Sequence, residues 1–433
     1  MEFKKLLLGE LCEIKSSKRI YAKDYVKKGI PFYRSKEIIE KSNGSNISQN
    51  LYIDNKKFEE IKKKYGAPEK GDLLLTSVGT LGIPYIVGNE KFYFKDGNLT
   101  WFNKFNSLLN PEYLFYWFKS KEGISEINRI TIGSTQKALT IKNLKELRIT
   151  LPSKKNQIKI TNLIKKIELK IETNRNIIAH LEELSQTLFK RWFVDFEFSD
   201  ENGNPYKSSG GEMVDSELGK IPKYWKVSNL DKIASFVSRG ITPKYNENSD
   251  IQIPIINQKV NKGPRLDLQY IKYFDGQNRI KKELYAQKND LLLNSLGQGT
   301  LGRVHLFTRK SEEFLIDQHI SIIRFDNINY SYFYYAHINT DLIQGQIDSL
   351  ISGSTGMLML NITKIRNLKV ILPTEELVLK YSKLVNEYFG KITQLIYENE
   401  NLTQLRDTLL PKLMSGEIDI PDDIEVNEDE LSI

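Results

Sequence analysis

A heptad-like repeat of apolar residues near the middle of the chain constrains its fold most strongly. From Lys154 to Phe193, apolar side chains recur at three- and four-residue steps without an intervening Pro or Gly. The spacing predicts a helix of roughly 60 Å that can bury its stripe only against another helix. The stripe consists of Ile160, Ile164, Ile167, Ile171, Ile178, Leu181, Leu188 and Trp192.

A partner for this helix is present in the same chain. When the sequence is shifted by 221 residues, the distance from Pro152 to Pro373, the stripe reappears over residues 375–414. Asn174 and Ser185 interrupt the first stripe, and such polar positions can fix the register of a helix pair or form a surface for another protein. The residues predicted to pack the pair are Ile164, Ile167, Ile171, Ile178, Leu181 and Leu188 in the first helix, and Val385, Tyr388, Ile392, Leu395, Leu402 and Leu409 in the second.

A shift of 218 residues relates segments that precede the two helices. Residues 71–79 read Gly-Asp-Leu-Leu-Leu-Thr-Ser-Val-Gly, and residues 289–297 read Asn-Asp-Leu-Leu-Leu-Asn-Ser-Leu-Gly. The chain is therefore a tandem duplication whose period suits two domain-sized halves. Similar halves of one chain often relate by a pseudo-twofold axis, which would make the long helices antiparallel.

Each half contains short β-type runs and an aromatic helical patch, followed by a strand and the long helix. The predicted fold class is α+β, with two duplicated globular α/β domains and two long helices that form an antiparallel coiled coil with pseudo-twofold symmetry. The predicted segments are the first globular domain 1–152, the central helix 153–198, a linker 199–224, the second globular domain 225–373, the C-terminal helix 374–416 and an acidic tail 417–433.

Charge favours a polyanionic partner. The net charge is +8, but residues 417–433 contribute eight acids and no Lys or Arg, so the remaining chain carries +16. This balance makes DNA or RNA the first candidate. The apolar runs are too short to span a bilayer and no signal peptide is evident, so we expect no membrane association. The single Cys12 excludes an intramolecular disulfide and predicts a reducing, cytoplasmic location.

Motifs that resemble catalytic sites do not have the required context. Gly297–Gly302 matches a dinucleotide-type glycine pattern, but the following residues predict a strand, so the segment is interpreted as a hairpin turn. Asn204-Pro205-Tyr206 is similar to a methyltransferase motif, but it lies in the linker and is interpreted as a turn. The four histidines have no metal-ligand spacing. We therefore expect no catalytic residue and no metal site.

Polar and basic side chains at turn-like places are the candidates for recognition, because such residues contact phosphates and base edges. In the first half the candidates are Lys18, Arg19, Tyr21, Arg34, Lys36, Arg129, Thr135, Gln136 and Lys137. In the second half they are Arg239, Thr242, Asn257, Gln258, Lys259, Arg265, Gln298, Arg303 and Thr355.

Over nearly its full length the chain resembles the specificity (S) subunit of type I restriction-modification enzymes. The likeness is carried by Leu-Phe-Lys-Arg-Trp-Phe-Val-Asp-Phe at 188–196, by Met-Val-Asp-Ser-Glu-Leu-Gly-Lys-Ile-Pro at 213–222, and by Ser-Gly-Glu-Ile at 415–418. One departure is that Gln157, which matches the family, has no equivalent at Glu375-Glu376-Leu377 of the second copy.

The resemblance implies two target-recognition domains, each reading one half of a bipartite double-stranded DNA site. The long helices would set the spacer and dock two modification (M) subunits, and restriction (R) subunits would join through the M-bound core. Adenine methylation and ATP-dependent cleavage would reside in the partners, which bind S-adenosylmethionine, ATP and Mg²⁺. This chain would bind no cofactor and would not be an enzyme.

Two other functions were considered. A scaffold protein built on a coiled coil would need no role in DNA binding, and it is distinguished by the absence of salt-dependent DNA association. A stand-alone restriction enzyme would need nuclease and methyltransferase motifs, and none were found in the sequence.

Overall fold

The structure is a computed structural model of the 433-residue chain. It describes residues 3–42, 47–48, 51–132, 137–245, 250–276, 280–352 and 358–421. The chain forms two compact units: unit 1 comprises 1–172 and 400–433, and unit 2 comprises 173–399. Each long helix contributes one part to each unit, so these units do not follow the predicted segments, whose boundaries stay predictions.

Unit 1 contains the first globular part. Its strands are β1 Phe3–Leu7, β2 Glu13–Lys15, β3 Tyr25–Val26, β4 Ile30–Tyr33, β5 Tyr52–Ile53, β6 Leu73–Thr76, β7 Pro84–Ile86, β8 Tyr93–Phe94, β9 Leu99–Asn103 and β10 Arg148–Pro152. Its helices are α1 Leu8–Leu11, α2 Ser35–Ser42, α3 Asn55–Tyr65, α4 Pro111–Lys119, α5 Lys121–Ile130 and α6 Ile141–Lys145, and the long helix α7 begins at Lys154 and ends at Phe189.

The strands of unit 1 form an antiparallel sheet in the order β2-β9-β6-β7, a second sheet in the order β3-β5-β4-β8, and the antiparallel pair β1-β10. Strands β4 and β8 run parallel. All four residues of β6 are buried, because this central strand is covered on both faces.

Unit 2 repeats this plan. Its strands are β11 Met213–Ser216, β12 Gly219–Pro222, β13 Lys226–Asn229, β14 Phe236–Arg239, β15 Gln252–Ile256, β16 Lys272–Asp275, β17 Leu291–Asn294, β18 Val304–Leu306, β19 Leu315–Ile316, β20 Ile320–Arg324 and β21 Lys369–Leu372. Its helices are α8 Ile328–Ile338, α9 Asp341–Leu350 and α10 Ile362–Arg366, and the second long helix α11 begins at Glu375 and ends at Ser415.

Corresponding strands make corresponding sheets. The antiparallel order β14-β20-β17-β18 repeats β2-β9-β6-β7, the parallel pair β15-β19 repeats β4-β8, and β13-β21 repeats β1-β10. Strands β17 and β18 are paired antiparallel, so Gly297–Gly302 is the hairpin connection that its sequence predicts. The glycines at both ends of this connection have positive φ, as such turns require.

Caps are repeated as well. Asn110 precedes α4, where its side chain accepts hydrogen bonds from two backbone N–H groups, and the side chain of Asn327 accepts one at the start of α8. Ser120 and Thr340 cap the next helices, α5 and α9. Each cap satisfies donors that a helix start leaves without partners, so the duplication keeps the residues that fix where these helices begin.

The two long helices pack antiparallel within unit 2. Asn174 of α7 contacts Asn399 of α11 through a 3.0 Å hydrogen bond, whereas the ring of Phe189, farther along α7, lies 5.7 Å from that of Tyr381. In unit 1, Arg406 of α11 lies 3.8 Å from Glu168 of α7. The predicted α+β class, with duplicated globular parts and a paired coiled coil of long helices, is confirmed.

The end of α7 differs from a simple helix. The α-helical geometry ends at Phe189, and a π-helical turn covers Lys190–Val194. A π turn inserts one extra residue per turn, which redirects the side chains that follow it. The ring of Phe193 consequently packs 5.7 Å from Trp225 and 4.8 Å from Phe333 in the core of unit 2.

Candidate nucleic-acid interface

A buried pair of hydroxyl groups marks the same place in both units. The Oγ of Ser77, just beyond β6, lies 2.6 Å from Oγ1 of Thr100 in β9. The Oγ of Ser295, just beyond β17, lies 2.5 Å from the Oγ of Ser321 in β20. Buried hydroxyls are retained where they are hydrogen-bonded, and here they join the two central strands at the end where the loops begin.

In unit 1 this serine holds three loops together. The backbone N–H of Ser77 donates to the carbonyl of Asn98, and its own carbonyl accepts from Leu139, at 2.8 and 2.9 Å. The hydroxyl of Ser17, beyond β2, donates to the carbonyl of Phe94 at 2.8 Å. We call residues 16–21, 77–82, 95–98 and 137–139 the first loop edge.

Unit 2 builds an equivalent edge. The N–H of Ser295 donates to the carbonyl of His319, and its carbonyl accepts from Leu360, both at 2.8 Å. The N–H of Gln318 donates to the carbonyl of Ile241 at 2.7 Å. We call residues 240–245, 295–302, 317–319 and 358–360 the second loop edge. The two edges share a backbone frame but carry different side chains.

The first loop edge carries four of the predicted recognition residues, namely Lys18, Arg19, Tyr21 and Lys137, all of which are exposed. The Nε of Arg19 donates to Asp96 at 2.7 Å, and the ammonium of Lys18 lies 5.2 Å from the ring centre of Tyr65. Both cations are therefore held at the edge while they stay in contact with solvent, as phosphate contacts require.

The second loop edge is less basic and richer in neutral polar groups. The hydroxyl of Thr242 donates to Oε1 of Gln318 at 2.8 Å, and Gln298 is exposed on the hairpin connection. Arg303 follows this connection and donates to the carbonyl of Gly299 at 2.9 Å. Amide and hydroxyl groups can read base edges by donating and accepting together.

Three predicted candidates in the first half form ion pairs within their own helices or caps. Arg34 donates to the buried carboxylate of Glu37, three residues on, and Arg129 donates to Glu126 at 2.6 Å. Burial tends to raise the pKa of Glu37, but hydrogen bonds from Arg34 outweigh it and the pKa is lowered. Lys36 lies 3.9 Å from Glu40. These ion pairs occupy some of the N–H donors that contacts with DNA would need.

In the second half, several candidates contact the protein itself. Asn257 is buried, and its Oδ1 accepts from the N–H of Lys259 at 2.8 Å, so it stabilises a turn. Gln258 is half-buried beside it, whereas the side chain of Lys259 is exposed. Arg239 donates to the carbonyl of Leu360 at 3.3 Å.

Arg265 contacts the long helix α7. Its guanidinium is 4.0 Å from the carboxylate of Glu182 on α7, at the border of a cavity of about 610 Å³. Burial raises the pKa of Glu182, and Arg265 opposes that rise. Arg265 therefore connects the globular part of unit 2 to α7. The candidates Thr135, Gln136 and Thr355 lie outside the described residues.

The predicted helix-packing residues are covered to different degrees. Ile164, Ile167, Ile171, Ile178, Val385, Ile392 and Leu395 are buried. Leu181, Leu188, Tyr388, Leu402 and Leu409 are half-buried. Gln157 is buried at the start of α7, where its side chain accepts from Asn110 and donates to two carbonyls. This residue fixes α7 against α4, whereas Val378 fills the matching position of α11.

The loop edges also contain polar residues that the sequence did not mark for recognition, among them Asp96, Gln318 and His319. Asp96 and Gln318 became visible only through their partners Arg19 and Thr242, which are more than seventy residues distant in sequence. The available signal was the repeat itself, because the segment between β8 and β9 corresponds to that between β19 and β20.

Within the described residues, no group of three His, Cys, Asp or Glu side chains is placed to hold a metal ion. The described helices also include none that is both long and apolar enough to span a membrane. The acidic segment after α11 forms no strand over residues 417–421, although Ile418 and Ile420 pack on the core of unit 1.

A family model described as the type I restriction modification DNA specificity domain matches residues 1–183 and 222–395 of the chain. The type I restriction enzyme MjaIX specificity subunit of Methanocaldococcus jannaschii is 29% identical over 358 residues, which cover 81% of this chain and 78% of the relative. The HindI specificity subunit of Haemophilus influenzae is 25% identical over 417 residues, which cover 81% of this chain and 87% of the relative.

A solved structure has a similar fold. The S subunit of a type I restriction-modification system from M. genitalium superimposes with a TM-score of 0.58 over 97% of both chains, at 18% sequence identity. At this identity, the similarity establishes the arrangement of the polypeptide and no individual residue role.

Proposed function

The chain belongs to the type I restriction-modification DNA specificity family, as its sequence predicts, and on this premise we propose that its two loop edges read the two halves of a bipartite DNA site. As a member of this family, the chain is a type I specificity subunit. The proposal assigns the surfaces that bind DNA and the partner subunits.

The observation that carries the proposal is the difference between the two loop edges. Their buried frames match, down to the hydroxyl pairs at Ser77 and Ser295, but the exposed side chains do not. In the first edge Arg19 donates to Asp96, whereas in the second edge Thr242 donates to Gln318. A duplicated reader with two different half-sites needs this combination of a constant scaffold and variable contacts.

The long helices are proposed to set the spacer between the half-sites and to dock two modification subunits. The buried heptad positions support the first role, because they define one pairing of α7 with α11. Ile177 and Leu184 support the second, since they lie seven residues apart on one face of α7 and are 38% and 48% exposed.

Chemistry is assigned to the partners. We expect S-adenosylmethionine to be bound by the modification subunits, and ATP and Mg²⁺ by the restriction subunits that join them. In this division of labour the chain directs adenine methylation and cleavage to a sequence, and its own side chains position DNA without reacting with it.

The test is methylation mapping. The chain would be co-expressed with its modification subunit in a host that lacks other adenine methylation, and the genomic DNA would be sequenced for methyladenine. We expect one bipartite motif with a fixed unread spacer. A contiguous motif would contradict the proposal. Absence of salt-dependent DNA binding by the assembled complex would favour the scaffold alternative.

Two variants test the first loop edge and the helix pair separately. Arg19→Ala should change or weaken one half-site while leaving complex assembly intact. Ile392→Asp, which introduces a charge at a buried heptad position, should impair both half-sites together because it loosens the helix pair. Normal assembly and methylation by Ile392→Asp would contradict the role of the helices.

A further inference from the structure

A buried carboxylate beneath the second loop edge holds a histidine in one orientation. Asp317 is almost fully buried, and its Oδ1 lies 2.8 Å from both the backbone nitrogen and Nδ1 of His319. Its Oδ2 accepts a 3.0 Å hydrogen bond from the hydroxyl of Tyr245. The backbone N–H of His319 and the hydroxyl of Tyr245 therefore both donate to this single carboxylate, and the imidazole of His319 lies beside it.

These contacts determine which ring nitrogen of His319 is available for a hydrogen bond to a ligand. A carboxylate has no hydrogen to donate, so the 2.8 Å distance from Oδ1 of Asp317 to Nδ1 of His319 favours the form of the imidazole that carries a hydrogen on Nδ1. Nε2 then lies on the opposite side of the ring, and the side chain is 30% exposed. Fixing one ring nitrogen in this way orients the other, as a carboxylate does for metal-binding histidines.

His319 also occupies a position that the duplication singles out. Its carbonyl accepts from Ser295, as that of Asn98 accepts from Ser77 in unit 1, both at 2.8 Å. The backbone role is thus the same in both halves, but the side chain changes from an amide to an imidazole. A residue whose backbone hydrogen bond is the same in both units but whose side chain differs is the type expected to distinguish the two half-sites.

The adjacent segment around Gly240 is able to pack closely against this loop. A side chain at Gly240 would overlap the carbonyl oxygens of Ile316 and Asp317, so only glycine lets this segment run directly against the loop. The close approach brings Thr242 onto Gln318, next to His319. The result is a compact polar group of hydroxyl, amide and imidazole at the second loop edge.

We propose that His319 is a specificity-determining residue of the second half, with Nε2 hydrogen-bonded to a base edge and with Asp317 and Tyr245 as positioning residues. The inference rests on the proposed DNA-reading function and specifies it. A neutral imidazole accepts through Nε2 from the amino group of adenine or cytosine, whereas a protonated one donates to N7 or O6 of guanine. The motif will show which of these bases is read.

The experiment uses the full chain assembled with its modification subunit. Methylation mapping would compare three variants, His319→Ala, His319→Asn and the control Lys288→Ala. Lys288 is an exposed lysine that precedes β17, whereas the second loop edge follows that strand. Binding would be measured on duplexes that differ at single base pairs. His319→Ala should lose discrimination at one base pair of one half-site, on the order of tenfold. The other half-site and the control should not change.

His319→Asn introduces the residue found at the matching place of unit 1, so it should assemble normally and alter the preferred base at that same position. Tyr245→Phe removes one donor to Asp317, and it should give a smaller loss at that base pair only. The proposal is overturned if both His319 variants keep the wild-type motif and efficiency, or if they weaken binding equally for every duplex. Failure of the underlying function is distinct, because the wild-type complex would then produce no bipartite motif.

Discussion

Arg324 donates two hydrogen bonds of 2.7 Å to the buried carboxylate of Asp290, one from Nε and one from Nη2. Burial raises the pKa of Asp290, and the guanidinium opposes the rise. In unit 1 the matching carboxylate, Asp72, accepts instead from Nε1 of Trp101 at 2.8 Å. The duplication has therefore kept the acid before the central strand while its donor moved to another residue.

Removing this donor should destabilise unit 2. Arg324→Leu leaves a buried carboxylate without its main partner, which costs roughly 3 kcal/mol in comparable cases. Urea denaturation should show a lower midpoint at unchanged slope. Lys380→Ala is the control, because Lys380 pairs with Glu376 on the surface and such pairs contribute less than about 1 kcal/mol. A loss no greater than that of the control would contradict the assignment.

Two helix glycines should respond to alanine in opposite directions. A Cβ at Gly123 of α5 would overlap the carbonyl oxygen of Trp117, whereas one at Gly345 of α9 would meet no atom within 4 Å. Gly345→Ala should therefore raise the free energy of unfolding by about 0.5–1 kcal/mol, the ordinary helix preference for alanine. Gly123→Ala should lower it by roughly 1–3 kcal/mol because the backbone must shift. Thermal unfolding of the two variants tests this, and the same sign for both would refute it.

The elements that the sequence could predict are those whose signals are local. Heptad spacing identified the buried face of α7, including Ile171 and Ile178, and the Leu-Leu-Leu runs identified the central strands. The pairing of Arg34 with Glu37 could also have been recognised, since residues three apart meet at a helix start. Such patterns need no knowledge of the tertiary structure.

The residues that sequence reasoning missed depend on contacts between distant segments. Asp317 meets Tyr245 across more than seventy residues, and Arg265 meets Glu182 across more than eighty. Arg265 and Arg19 are both exposed arginines, and the sequence alone marks them equally as recognition candidates. The fold distinguishes them, because Arg265 lies 4.0 Å from Glu182 of α7 whereas Arg19 donates to Asp96 of the first loop edge. The π turn after Phe189 is similarly set by tertiary packing of aromatic rings rather than by any local signal.

Stability should fall as the solution becomes acidic, in part because of His337. Burial lowers the pKa of His337 to about 3, while an unfolded histidine titrates near pH 6.5. Between these values the unfolded chain binds a proton that the folded chain does not, so lowering the pH favours unfolding. From pH 6.5 to pH 5 this single group should cost about 2 kcal/mol.

The variant His337→Gln keeps an acceptor near the N–H of Ile371, which donates to Nε2 of His337 at 3.2 Å, and it has no proton to bind. The acid-dependent loss should therefore become smaller in denaturant titrations at pH 7 and pH 5. It should not vanish, because burial also lowers the pKa of His305, to about 4. An unchanged loss would exclude His337 as a contributor.

A buried amide in the helix pair should behave as a register device. Nδ2 of Asn174 donates to Glu398 at 3.1 Å and to Asn399 at 3.0 Å, at a heptad position that is otherwise apolar. Asn174→Leu alone should lower stability by about 1–2 kcal/mol, since the partner amide loses its donor. When Asn174→Leu is combined with Asn399→Leu, the stability should return to that of the wild type or exceed it. The double variant should also give spacers of more than one length in methylation maps, because a leucine pair permits other registers of the two helices. A strictly additive double-variant cycle would contradict this coupling.

The exposed stripe on α7 should be required for assembly and dispensable for folding. Ile177 and Leu184 are 38% and 48% exposed in unit 2, whereas the heptad position Ile392 is 4% exposed, so aspartate at both exposed positions should lower the unfolding midpoint less than Ile392→Asp does. If a modification subunit covers this face, the double variant should lose the assembled complex in size-exclusion chromatography and methylate neither half-site. The matched control is Leu342→Asp on α9, an equally exposed leucine of the globular part, which should assemble normally. Assembly by the α7 variant at wild-type level would show that the modification subunit binds elsewhere on the chain.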